Sequence, residues 1–286
     1  MSQCMVSCFG GVLVGLKEKI NSRFVLSWRE FTVIALSVGV IMLTWSLPPI
    51  AQDPAYHDFA DSRRVAGITN FWNVISNLPF LAVGVWGLLS SRRCRPDLVP
   101  IVIVFSLGAV LICLGSSWYH LAPINETLTW DRLTMTVSFM AFFAYTLVMV
   151  TGSARTRYAL SPLLIAGVAS VIYWDISEAA GQGDLRPYAL VQFMPGLLII
   201  FFLLLYPQKF PARRTLWLVI AAYTVAKLLE WQDRFIYDSL LPLSGHTLKH
   251  IAAAVGAYYG VRVMLASSGD NQPSSQSYRD SSVPET

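Results

Sequence analysis

Eight long apolar runs, separated by short polar segments, constrain this chain more than any other feature. The runs lie at about 31–47, 70–90, 99–121, 126–150, 158–175, 189–206, 214–232 and 246–265. Each is long enough, or nearly so, to cross the hydrocarbon core of a bilayer as a helix. A helix is also the one open structure that satisfies its own backbone hydrogen bonds in lipid. The sequence therefore predicts an all-α, polytopic membrane helix bundle.

The composition agrees with lipid as the solvent. Hydrophobic residues make up 55% of the chain and charged residues only 13%, whereas a soluble domain carries about 25% charged residues. The net charge of +4 comes from basic residues in short loops. It therefore indicates membrane topology rather than a nucleic acid partner. The four cysteines form no CxxC pair, so the sequence predicts neither a disulfide framework nor a thiolate metal site.

Charge alternates from loop to loop. The basic residues occupy every second loop, as Arg92, Arg93 and Arg95, then Arg155 and Arg157, then Lys209, Arg213 and Arg214. The loops between them carry aspartate and glutamate instead. By the positive-inside rule, we expect both termini in the cytoplasm and the acidic loops outside. Seven or nine crossings would break this alternation.

The same pattern divides the chain into four parts. Residues 1–30 are predicted as a cytoplasmic N-terminal segment, 31–47 as an extra transmembrane helix, 70–265 as a seven-helix catalytic domain and 266–286 as a disordered cytoplasmic tail. The run at 31–47 follows basic residues, as in a signal peptide. Its apolar stretch is longer than a usual signal sequence and no clean cleavage site follows, so we expect an uncleaved helix.

Three of the four histidines lie in or beside apolar runs, where ionisable residues indicate function. His246 and His250 are four residues apart, so a helix places both imidazoles on one face, one turn apart. Such a pair can offer two nitrogens to one metal; an interfacial pair making ordinary hydrogen bonds is the competing interpretation. His120 ends the third run, and the predicted topology places all three histidines at the outer membrane face.

Three neutral imidazoles leave tetrahedral zinc one open position, which is typical of a catalytic site. Ser116 lies one turn before His120, and Asp131 begins the next run at the same depth. Zinc lowers the pKa of bound water toward about 7, and a nearby carboxylate can take its proton and later protonate a leaving amine. We expect Asp131 in that role and Ser116 as a donor to the water or an oxyanion. Helix-dipole stabilisation and helix packing are the competing interpretations.

The pattern Ser-x-x-x-His, an Asp eleven residues after that His, and a late His-x-x-x-His resembles the alkaline ceramidase family. That family belongs to a superfamily of seven-helix membrane hydrolases that includes the adiponectin-receptor group. The matching residues are Ser116, His120, Asp131, His246 and His250. The segment NFWNVISNLPF, residues 70–80, is similar to the start of the family's first core helix. The resemblance covers about 70–265.

The resemblance implies a seven-helix core that holds zinc through His120, His246 and His250, with water as the fourth ligand. Asp131 would be general base and acid, and Ser116 an oxyanion or water contact. The implied reaction is hydrolysis of the amide of ceramide to a sphingoid base and a fatty acid. The implied partners are a membrane lipid substrate and the bilayer. We expect a bacterial inner membrane, with the site near the outer face.

Some eukaryotic members carry a calcium site before the first core helix, ending in a Glu where this chain has Asn70. Here Arg63 and Arg64 could pair with Asp58 and Asp61, so the sequence does not favour calcium. His57, in the same stretch, is expected at the surface.

Further polar residues lie at the outer helix ends. By the resemblance, an extra oxyanion donor could be Tyr173 or Tyr188. Asp233 is the first candidate partner for a ligand histidine, and Lys249 is expected to reach the surface. Interfacial aromatics with solvated acids are expected for the remaining residues, Trp174, Asp175, Glu178, Glu230 and Trp231.

Other functions fit the same helices. A lipid-sensing receptor with structural zinc normally needs a sizeable soluble region, but the cytoplasmic loops are short. A proton-coupled transporter should have broken helices meeting near mid-membrane, but the polar residues cluster at one end. A hydrolase of another N-acyl lipid stays open, because the motif does not distinguish the substrate.

Overall fold

The structure, a computed structural model, describes residues 26–239 and 242–267. Most of the predicted N-terminal segment and of the predicted tail lies outside the described residues. Where the chain is described it is helical, and its β-structure there is one isolated bridge between Val65 and Ile68. The prediction of an all-α, polytopic helix bundle is confirmed.

The helices begin and end within a few residues of the predicted runs. They are α1 Trp28–Ser46, α2 Phe71–Ile75, α3 Leu78–Ser90, α4 Val99–Leu121, α5 Asn125–Thr151, α6 Leu160–Ala179, α7 Arg186–Leu205, α8 Arg213–Trp231, α9 Asp233–Ser239 and α10 Gly245–Ala266. The chain forms two compact units that divide between Leu43 and Thr44. Most of α1 lies in the first unit, and none of its residues is buried. The second unit contains the other helices.

Six helical segments of the described chain are long and apolar enough to cross a membrane, so the protein is a multi-pass membrane protein. Sequence analysis predicted eight. The remaining two, α8 and α10, are 19 and 22 residues long. They are less apolar because α8 carries Lys227 and Glu230, and α10 carries Lys249 beside its two histidines.

The run predicted as one helix at 70–90 is broken into α2 and α3. Pro79 lies in the first turn of α3, where it lacks a backbone N–H and would clash with the carbonyl of Ile75 in a continuous helix. Ser76 Oγ and Asn77 Nδ2 both donate hydrogen bonds to the Asn73 carbonyl, at 3.0 and 2.9 Å. The break therefore presents buried polar side chains within the helix bundle.

Helices α4 and α5 approach closely near the candidate catalytic residues. A Cβ atom at Gly115 would lie 2.9 Å from the Trp130 carbonyl oxygen, so a larger residue would push the two helices apart. Small residues at such contacts are typical of membrane bundles. Because Ser116 follows Gly115 and Asp131 follows Trp130, this contact brings the two polar side chains together.

Candidate metal centre

The start of α10 positions two of the three histidines. Ser244 Oγ accepts a hydrogen bond from the Thr247 backbone N–H at 3.1 Å, an N-cap that fixes where the helix begins. A Cβ atom at Gly245 would lie 2.2 Å from the Leu229 carbonyl oxygen and 2.8 Å from Asp233 Cα. Glycine at this position therefore lets the start of α10 pack against the end of α8.

The structure brings His120, His246 and His250 together. All three side chains are buried, and one ligand nitrogen from each lies within 4.8 Å of the others. His120 Nε2 and His250 Nε2 are 3.2 Å apart, although the two residues are 130 positions apart in sequence. His120 Nδ1 and His246 Nε2 are buried without a hydrogen-bond partner in the described chain. Three buried imidazoles thus lie close enough to hold one metal ion.

A hydroxyl from the α2–α3 break fixes the tautomer of His250. Ser76 Oγ lies 2.7 Å from His250 Nδ1 and donates its own proton to the Asn73 carbonyl. In this arrangement Ser76 accepts from Nδ1, which carries the imidazole proton. The lone pair of His250 Nε2 is then free to face the other two imidazoles, as a metal ligand requires.

Asp233 supports the second histidine through its backbone. Its Oδ1 accepts from the His246 backbone N–H at 2.7 Å, and its Oδ2 accepts from the Ala60 N–H at 3.0 Å. Sequence analysis expected this carboxylate to partner a ligand histidine. The structure shows that it fixes the main chain of His246, and ties the segment before α2 to the same point.

The segment before α2 packs directly on the histidines. The ring centroid of Phe59 lies 4.7 Å from that of His120 and 4.5 Å from that of His246. Asn70 Nδ2 donates to the His120 carbonyl oxygen at 2.8 Å. Residues of this connection therefore help to define the centre from outside the helices.

His57, expected at the surface, is half-buried and makes two side-chain contacts. Its Nδ1 is 2.9 Å from the Tyr119 hydroxyl and its Nε2 is 3.0 Å from Asn125 Oδ1. These two contacts tie the connection to the end of α4 and the start of α5. His57 is not one of the clustered histidines.

The two remaining predicted site residues also meet. Ser116, 3% exposed, and Asp131, 6% exposed, come from α4 and α5, and their side chains lie close enough to interact. Ser116 lies one helical turn before His120. The pair therefore belongs to the same end of the bundle as the histidines.

The prediction that Lys249 reaches the surface and that Glu230 is solvated was wrong. Lys249 Nζ donates to Glu230 Oε1 at 2.5 Å, and the two side chains are only 17% and 15% exposed. Lys227 donates to the other carboxylate oxygen of Glu230. These three residues form a charged cluster between α8 and α10. The shared carboxylate compensates for the removal of both lysines from water.

The structure separates the two tyrosines. Tyr173 is 46% exposed and donates to Asp184 Oδ2; hydrogen bonds from Arg186 lower the pKa of that aspartate. Tyr188 is 5% exposed, and its hydroxyl has no hydrogen-bond partner within the described ranges. Of the two, Tyr188 has a donor that is free for a ligand.

Trp174 is also not interfacial. It is fully buried, and its indole N–H donates to Glu178 at 3.0 Å, whereas Trp231 is 78% exposed as expected.

Nearer α2, Arg63 pairs with Asp61 as the sequence suggested. Asp58 instead lies 3.4 Å from Arg234.

Several residues that contact the clustered histidines were not predicted from the sequence. Ser76, Asn70 and Phe59 all contact the clustered histidines from the segment that leads into α2 and α3. The polar letters of NFWNVISNLPF within an apolar run were the available signal. Nothing local indicated which of them face His250, because those contacts join positions 174 residues apart.

Residues 57–285 match the family model described as Ceramidase. The chain belongs to the ceramidase family. The match includes the connection that carries Phe59 as well as every residue of the histidine cluster. No curated protein matches the chain. Membership of the ceramidase family implies a hydrolase that acts on the amide bond of a lipid substrate.

Proposed function

We propose that this chain hydrolyses ceramide-type N-acyl sphingolipids to a sphingoid base and a fatty acid, with zinc held by His120, His246 and His250. The observation that supports the proposal most is the convergence of three buried imidazoles, from two distant segments, in a chain of the ceramidase family.

The donor set suits zinc. Three imidazole nitrogens with one position left open is a common arrangement at catalytic zinc, and the proton on His250 Nδ1 leaves its Nε2 available. His246 Nε2 is buried without a partner in the described chain, which would cost stability unless a ligand met it. Zinc, when bound, would polarise the amide carbonyl and lower the pKa of a water molecule.

Asp131 is proposed to move the proton. Its carboxylate takes a proton from the attacking water and returns it to the leaving nitrogen as the C–N bond breaks. The water oxygen ends on the carbonyl carbon, so the products are a carboxylic acid and an amine. Ser116, whose side chain lies close to that of Asp131, is the proposed donor to the water or the oxyanion.

Tyr188 is the proposed donor to the developing oxyanion. Its hydroxyl is buried and unpaired within the described residues, and a donor in such a site stabilises negative charge more than it would in water. Tyr173 is occupied by Asp184 and is exposed, so it does not fill this role.

The proposed topology follows the charges. The basic loops lie at one end of the helices and the histidines at the other, so the positive-inside rule directs the metal centre outward and both termini to the cytoplasm. We place the chain in a bacterial inner membrane, with 31–47 as an extra helix before the catalytic domain at 70–265.

The test is purification, a measurement of zinc content and an assay with labelled ceramide. His250→Ala should lose both zinc and turnover, because two imidazoles hold zinc far more weakly than three. Asp131→Asn should keep most of its zinc and lose at least about a hundredfold in kcat.

His57→Ala is the matched control, because it removes the histidine outside the cluster. This variant should contain the same amount of zinc per protein molecule as the wild type. Normal ceramide hydrolysis by both His250→Ala and Asp131→Asn would overturn the mechanism.

A further inference from the structure

A buried arginine follows the proposed general base in the chain. Arg132 follows Asp131 on α5 and is only 5% exposed. Its Nη2 donates to Gln52 Oε1 at 2.5 Å, which is a neutral acceptor. No ion pair of the described residues includes Arg132, although buried charges in proteins are normally paired.

Aromatic rings surround the guanidinium. Its Cζ lies 4.0 Å from the ring centroid of Trp174 and 4.8 Å from that of Tyr188, and the ring of Tyr56 lies at 5.9 Å. Cation–π contacts of this kind stabilise a desolvated guanidinium. They stabilise the charge without supplying the oxygen acceptor that its remaining N–H groups lack.

Two donors beside one another have no acceptor in the described chain. Arg132 Nη1 and the Tyr188 hydroxyl are both buried and unpaired, and Tyr188 is one of the rings that surround the guanidinium. A planar guanidinium with a free N–H edge matches a carboxylate or a phosphate.

The charges around the site also leave room for an anion. Glu178 accepts from the Trp174 indole and from the Gln52 backbone N–H, and Glu230 accepts from both Lys227 and Lys249. Asp131 forms no ion pair with Arg132 among the described residues. Among the described residues, no carboxylate therefore forms a direct ion pair with Arg132.

We propose that Arg132 forms a headgroup subsite for an anionic oxygen group, a carboxylate or a phosphate, on the amine half of the N-acyl lipid. The inference rests on the proposed hydrolase function and names its substrate class. The Arg132 guanidinium lies 4.8 Å from the ring centroid of Tyr188, the proposed oxyanion donor, and so is close to the scissile bond. In a sphingolipid the headgroup carbon is two bonds from the amide nitrogen, so the headgroup falls near the same point.

The test uses three lipids with the same acyl chain that differ only in the headgroup: the hydroxyl of ceramide, a carboxylate and a phosphate. Arg132→Gln should lower kcat/KM for an anionic lipid about tenfold to a hundredfold more than for ceramide, because a charge-assisted hydrogen bond is lost. Arg132→Lys should fall between, since it keeps the charge but not the planar edge. A loss confined to one of the anionic lipids supports the subsite and identifies its ligand.

Arg64→Gln is the matched control, because Arg64 is exposed and its side chain donates only to the Gly67 carbonyl among the hydrogen bonds described. In Arg64→Gln, any change in kcat/KM should be the same for the three lipids. An equal loss for all three lipids in Arg132→Gln would mean that Arg132 only supports the fold, and would overturn the subsite. Should Arg132→Gln fail to fold, Arg132→Lys alone decides, by the same comparison between lipids.

Binding to metal-stripped wild-type protein separates this inference from the hydrolase proposal. The anionic lipid should bind about tenfold more tightly than ceramide, and Arg132→Gln should remove that preference. Equal binding of all three lipids overturns the subsite, even where ceramide is hydrolysed. The free fatty acid of the same acyl chain is tested as a fourth ligand. If Arg132→Gln weakens the binding of this fatty acid alone, the guanidinium binds the acyl product and the headgroup assignment is wrong.

Discussion

At the scale of single residues, the metal centre depends on a hydroxyl outside the ligand motif. Ser76 accepts from His250 Nδ1 and donates to the Asn73 carbonyl. Ser76→Ala should therefore weaken zinc binding about tenfold to a hundredfold, the usual effect of losing a partner that orients a ligand. Competition with a chelator of known affinity measures this change.

Ser117→Ala is the control for that measurement. The Ser117 hydroxyl donates to the Val74 carbonyl at 3.3 Å and has no hydrogen bond to a histidine in the described chain. It should bind zinc as the wild type does. Equal zinc affinity in Ser76→Ala and the wild type would contradict the assigned tautomer of His250.

Single residues also mark the limit of sequence-based prediction. His120, His246 and His250 could be predicted because spacing and helix ends fix their depth in the membrane. His57 and Lys249 could not, because their contacts with Tyr119 and Glu230 depend on which segments pack together. Buried polar contacts of this kind join positions far apart in sequence and leave no local periodicity.

At the scale of elements, one glycine controls how α10 meets α8. A Cβ atom at Gly245 would overlap the Leu229 carbonyl oxygen, at 2.2 Å, and main chain cannot yield as a side chain does. Gly245→Ala should lower stability by about 1–3 kcal/mol, the usual effect of overpacking, and should weaken zinc binding by displacing His246. Thermal unfolding and zinc titration measure the two effects.

Gly196→Ala provides the comparison, because a Cβ atom there would meet nothing within 4 Å. Alanine within a helix is favoured over glycine, so this variant should be at least as stable as the wild type. The same unfolding temperature for both alanine variants would contradict the close approach at Gly245.

The elements themselves followed closely from the apolar runs, because lipid leaves helix as the only open structure. The break between α2 and α3 was the exception. The hydropathy of 70–90 is continuous there, whereas Pro79 and the side chains that bond to the Asn73 carbonyl end the first helix. The helix therefore ends because of the backbone restriction at proline, although the hydropathy pattern continues.

At the scale of the whole molecule, the proposed topology sets the histidine end and the basic end on opposite sides of the membrane. In a variant without native cysteines, single cysteines at Thr156 and Gln182 probe the two ends of α6. A membrane-impermeant thiol reagent added to intact cells should label the cysteine at 182 and leave the one at 156 unlabelled. Labelling at both positions, or only at 156, would contradict the proposed orientation.

The most direct measurement is X-ray absorption at the zinc edge of the purified, zinc-loaded protein. Three imidazole nitrogens and one further oxygen at about 2.0–2.1 Å should surround the ion, and His120→Ala should reduce the imidazole contribution to two. A protein that binds no zinc, or a spectrum that His120→Ala leaves unchanged, would contradict the convergence of these histidines on one ion.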